Sequence, residues 1–201
     1  MFLGLAAYMA LTSCASERLR ALRALRMPAL YVSLCASLMW GAVEKWAYPQ
    51  WTFPLLEARP YLTLGLAPED FMVVAGFVEF AFAFHILCGL GLLRLGIAGL
   101  GGIFLLAILD FGKPDAIGHL PIIVSMAAML LHGPTPLHRR LHDARRGLFA
   151  EARKAGLSFA AAVGVLVTAY YGLQHAEHGA AGAPKHAALA ALTAPAQAQP
   201  R

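Results

Sequence analysis

Glu79, His85, Asp110 and His119 have the most chemistry to offer, because each stands in or at the mouth of a long apolar run. The runs cover residues 71–93, 95–111 and 117–131 and follow one another with almost no connection between them. A carboxylate or imidazole is costly in hydrocarbon, so each is a functional-site candidate with a partner to be named. Glu44 and Lys45 stand near the end of a further apolar segment, 28–47, and Asp115 flanks the entry to the run that follows. With about 1.5 Å of rise per residue, Glu79 lies roughly 13 Å below one end of its span and His85 about 22 Å. The two point about 120° apart around the helix and do not share a face. Four helices thus deliver Glu44, Lys45, Glu79, Asp110, Asp115 and His119 to one end of a bundle. Bundles build ligand, proton and metal sites from inward side chains in this way. Lys45 or His119 is the expected partner of Glu79. For Glu44, Lys45, Lys113 and Asp115 the plainer reading is an interfacial charge in contact with headgroups and water.

The elements that must position these groups are membrane spans. The 201 residues are 59% hydrophobic and only 13% charged, against about one quarter charged in soluble domains. Mean hydropathy is +0.63. The apolar blocks run to roughly 17–23 residues, enough to cross a hydrocarbon core of about 30 Å. Composition therefore excludes a soluble enzyme, and no hydrolytic triad or nucleotide-binding motif is present. The net charge of +5 does not indicate nucleic acid, because the basic residues flank the spans, where topology and anionic headgroups account for them.

The expected class is all-α: an integral membrane helical bundle with a four-helix core, a fifth C-terminal transmembrane helix and a short N-terminal helix. Residues 1–27 hold a short apolar segment and a basic amphipathic stretch, ERLRALRALR, expected to be one surface helix. Leu11-Thr12-Ser13-Cys14 matches a lipoprotein cleavage box in composition, but no Lys or Arg precedes it, as a secretory signal requires. Residues 28–133 form the four-helix core, 134–154 a basic connector, 155–174 the fifth span, and 175–201 an Ala/Pro-rich disordered tail. Trp46 is expected at the membrane interface. The long loop 48–70, stiffened by four prolines and rich in aromatics, reads as a lid on the membrane surface. Placing Arg18–Arg26, Arg94 and residues 139–154 on the cytoplasmic side leaves only Lys45, Arg59, Lys113, Lys185 and Arg201 outside. The positive-inside rule thus puts the loop and tail in the periplasm.

Metal ligation has thin support. His85 and Cys88 are neighbours at i, i+3, and Cys35 falls at similar depth, but two cysteines and one histidine make an incomplete zinc set. His175 and His178 form a sparse histidine tail, while His138 and His142, among arginines, read as a solvated polar face. With no CxxC spacing, Cys14, Cys35 and Cys88 support no disulfide framework.

Several features in order resemble one family. They are Glu44-Lys45 followed by Tyr48-Pro49, the AGFVE run at 75–79, a Gly-rich turn with one arginine at 89–94, and the D-x-x-G-H-L-P-I run at 115–122. Over residues 28–133 the chain resembles the DoxX-like superfamily of bacterial inner-membrane proteins. The resemblance implies a four-helix membrane bundle, and Glu44, Glu79, Gly118, His119 and Pro121 match the recurring residues. Some members are associated with thiosulfate:quinone oxidoreductase, others with redox or envelope-stress complexes. A related branch, of amine-dehydrogenase maturation, is linked to thiol–disulfide chemistry, for which this chain lacks a suited cysteine pair.

The function expected is an accessory or assembly subunit of a redox or respiratory membrane complex, without independent catalytic activity. Its pocket of Glu44, Lys45, Glu79, Asp110 and His119 would hold a quinone head group, a proton or a metal ion. Its partners would be the lipid bilayer and other membrane subunits. Two alternatives stand beside this: a small proton- or metal-linked transporter, for which the polar route through the other half is thin, and a purely structural subunit docking through 139–154.

Overall fold

The computed structural model describes residues 2–13, 20–88, 93–141 and 148–180. Cys14 and the tail beyond residue 180 lie outside them. The helices are α1 Phe2–Ser13, α2 Arg20–Arg23, α3 Arg26–Ala47, α4 Phe53–Ala58, α5 Pro68–Cys88, α6 Leu93–Phe111, α7 Lys113–His132, α8 Pro136–Leu141 and α9 Leu148–Ala180. Among the described residues there is no strand.

α3 is the central element because its apolar residues recur at helical spacing on more than one side. Leu30, Tyr31, Leu34, Cys35, Leu38, Met39, Ala42 and Val43 are all buried, in adjacent pairs four residues apart. A stripe that wide needs neighbours on several sides, and α3 packs on α1, α5, α7 and α9. α5 also packs on α6, and α6 on α7. The ring α3–α5–α6–α7 is therefore closed, with α1 and α9 outside it. α1 approaches closely because Gly4 lies against Ser33, where a Cβ would collide with the hydroxyl.

Among the described residues four helical segments are long and apolar enough to cross a membrane: Ala21–Ala47, Pro68–Cys88, Leu93–Asp110 and Phe149–Ala176. Five such spans were expected. Among the described residues α7, Lys113–His132, contributes a shorter apolar stretch, Ala116–His132. The outward faces are apolar too: Leu109 is 81% exposed, Leu157 67% and Val165 67%. Such faces on spanning helices are lipid-contacting surface.

Two expectations change. Over its described residues, 20–26, the basic segment is not one helix. α2 ends at Arg23, a turn follows at Ala24-Leu25, and α3 starts at Arg26. The break follows from Pro28, which has no N–H to donate to the Ala24 carbonyl and favours a helix's first turn. Trp46, near the end of α3, turns into the α3–α5 contact. Its Nε1–H donates to the Val73 carbonyl at 3.1 Å, and its ring stacks on Phe80 at 5.7 Å. Gly76 makes this fit: a Cβ there would stand 2.4 Å from the indole nitrogen and 3.0 Å from the Ala42 carbonyl. Gly76→Ala is expected to destabilise the protein by about 1–2 kcal/mol through overpacking; thermal unfolding in detergent at wild-type Tm would contradict this.

The second change is His138, which is not on a solvated face. It is 2% exposed in the α7–α8 region. Its Nδ1 accepts from the Thr135 N–H at 3.1 Å and lies 2.8 Å from Thr135 Oγ1. With Nδ1 an acceptor, Nε2 carries the proton and donates to the Ile86 carbonyl at 3.0 Å. Its ring meets Tyr31 edge-on at 4.6 Å. The Tyr31 hydroxyl lies 3.1 Å from the Met129 carbonyl and 3.2 Å from that of Gly133. One buried knot thus ties α3, α5, α7 and α8 together. His142 lies outside the described residues.

Candidate functional site

α5 presents Phe71, Met72, Ala75 and Glu79 on one face, and α6 presents Ile103, Leu106, Ala107 and Asp110. Both sets follow helical i, i+3, i+4 spacing, so each forms one wall. Between the walls lies a cavity of about 350 Å³, closed from above by Leu55, Leu56 and Leu62 of the 48–67 connection. Lys45 enters from α3.

Lys45 Nζ stands 2.7 Å from Glu79 Oε2, a charge-assisted hydrogen bond that joins α3 to α5. The side chains are 32% and 14% exposed, so the pair is only partly shielded. Glu79 takes one of the three N–H directions of the ammonium.

At the other end of the cavity Asp110 fastens the connection to α6. The Tyr61 hydroxyl donates to Asp110 Oδ1, while Arg59 Nε lies 3.2 Å from Oδ2. Arg59 Nη2 also donates to the Asp110 backbone carbonyl at 3.4 Å. The hydrogen bond to Asp110 holds the Tyr61 phenol above its ordinary value. The strap turns sharply just beyond, with Leu64 at φ +54° and Gly65 at φ +84°. Neither Arg59 nor Tyr61 was singled out from the sequence as a site residue. The available signal was that Arg59 is the one base in a loop carrying Glu57, Glu69 and Asp70.

Of the five expected pocket residues, the structure brings Lys45, Glu79 and Asp110 to one cavity. Glu44 does not line it. That side chain lies within electrostatic reach of Tyr170 on α9. His119 is also outside the lining, with its ring 4.8 Å from Phe104 at 32°. The Asp115 side chain lies outside those described.

The metal candidates are dispersed. His85 lies in a separate apolar groove with Phe77, Phe82 and Leu95, against Gly96. Cys35 is buried in the core and Cys88 is half-buried, and both are free thiols. His175 is exposed on α9, while the His178 side chain lies outside those described. Among the described residues no three His, Cys, Asp or Glu side chains converge as a metal set.

The arrangement offers an apolar slot with an ammonium and a carboxylate in its wall and a polar strap across it. Such a slot suits an amphipathic molecule with a small head that both donates and accepts hydrogen bonds. The chain matches no family model, no curated protein and no solved structure. Helix length and hydropathy define its class as a multi-pass membrane protein, which places it in contact with a lipid bilayer.

Proposed function

We propose that this chain is a DoxX-like protein of a bacterial inner membrane, an accessory or assembly subunit of a redox or respiratory complex. The strapped cavity is its ligand site, and the ligand is an amphipathic molecule with a quinone-type head. The observation that supports this most is the convergence of Lys45, Glu79 and Asp110, from three helices, on one apolar-walled cavity of about 350 Å³. A carbonyl of the head would accept from Lys45, and a hydroxyl would donate to Glu79. The DoxX-like assignment rests on the sequence motifs over 28–133. The strap faces the periplasm in this reading, because the positive-inside rule assigns Arg94 and the basic residues of 139–154 to the cytoplasm.

Native mass spectrometry of protein extracted gently from its own membrane tests the proposal. The wild type is expected to retain a quinone, and Glu79→Gln to lose it by roughly tenfold or more, as for one charged hydrogen bond. A wild-type chain that carries only other subunits would make the polar cluster structural and overturn the ligand site.

A further inference from the structure

A second cavity, of about 220 Å³, opens at the opposite end of the bundle. It lies between the α2–α3 junction and the α7–α8 turn. Arg23, Arg26 and His132 line it, with Met27, Pro28 and Pro136 as apolar rim. Among the described residues no carboxylate is in the lining. Among the described residues, neither arginine has an ion-pair partner, and Arg23 Nε is buried with no hydrogen-bond acceptor. A buried, orphaned guanidinium N–H is unusual and points to an acceptor supplied from elsewhere.

Among the described residues the surroundings do not supply that acceptor. The N–H and hydroxyl of Thr135, which also lines the cavity, are engaged with His138. At the end of α7 the carbonyls of Met129 and Gly133 lie against the Tyr31 hydroxyl. α3 starts at Arg26, so its first N–H groups add partial positive charge.

We propose that Arg23, Arg26 and His132 form a phosphate-binding site. Two guanidinium forks fit phosphate oxygens bidentately. A lysine pair would supply the charge without that geometry. The span that begins at Ala21 puts the cavity at headgroup depth, where an anionic phospholipid presents its phosphate and the apolar rim receives its glycerol region. Free phosphate has the same chemistry. This inference does not depend on the strapped cavity or its ligand.

The test uses the full chain in mild detergent, with native mass spectrometry at graded phosphatidylglycerol. One lipid per chain is expected, bound about 30-fold more weakly by R23Q/R26Q, as each arginine near a membrane surface contributes about fivefold. R139Q/R153Q removes the same charge from exposed positions and is expected to bind like wild type. Equal weakening in both variants, or in neither, overturns the site. Retention of diacylglycerol, which lacks phosphate, as strongly as phosphatidylglycerol does so too. Inorganic phosphate that displaces the lipid assigns a free-phosphate site, and lipid that resists it assigns a lipid site. If R23Q/R26Q fails to fold, R23K/R26K keeps the charge without the fork. It is expected to bind roughly fivefold more weakly, and wild-type affinity there overturns the assignment.

Discussion

His138→Ala is expected to lower the unfolding free energy by about 3 kcal/mol, the largest effect of any single substitution outside the cavities. The change empties a fully buried ring site and leaves the Ile86 carbonyl and the Thr135 N–H without partners. Cavity formation and orphaned polar groups each contribute about 1–3 kcal/mol. His138→Phe separates the two, since it fills the space and leaves the polar groups unpaired. A His138→Phe protein as stable as wild type in thermal unfolding would show that the hydrogen bonds contribute nothing.

The same residue sets a pH dependence. Burial pushes the His138 imidazole below its ordinary value of 6.5, partly opposed by its hydrogen bond to Ile86. Above pH 6.5 both folded and unfolded states hold it neutral, and its contribution to stability is complete. As pH falls below 6.5 the unfolded chain takes up a proton that the folded protein refuses. Stability then declines until the lowered folded value is passed. His138→Phe should lose this part of the slope, and an unchanged profile between wild type and variant would refute the assignment.

Lys45→Met is expected to cost about 2 kcal/mol. It leaves Glu79 with no cation in the cavity wall. Breaking a fully buried pair costs about 3–5 kcal/mol and an exposed one about 0–1, and side chains 32% and 14% exposed fall between. The double variant Lys45→Met/Glu79→Met should recover most of the loss, because it removes both charges together. A double-mutant cycle in detergent with coupling near zero would show that the 2.7 Å contact is not an energetic one.

The Lys45–Glu79 pair was legible because a carboxylate deep in an apolar run must find a cation or a proton, and few groups lay at its depth. The spans were legible because bilayer thickness fixes the length of an apolar helix. The turn at Ala24-Leu25 was not legible because helical spacing of leucine and arginine carries no record of the break that Pro28 imposes. His138 was misread because its sequence neighbours are arginines, whereas its burial comes from Tyr31, Thr135 and Ile86. Two of these lie far away along the chain.

From sequence alone come the all-α class, the apolar helices that meet a bilayer, the strap between α3 and α5, and the ionisable residues that need partners. These follow from composition and local periodicity, which act over one helix at a time. Only the tertiary structure decided which faces meet. It placed Asp110 under Arg59 and Tyr61, turned Glu44 and His119 away from the cavity, set Trp46 against Gly76, and brought Arg23 and Arg26 beside His132. The physical reason is rotation. Each residue turns a helix by about 100°, so a small change in how two helices pack decides whether a side chain faces a cavity, a neighbour or lipid.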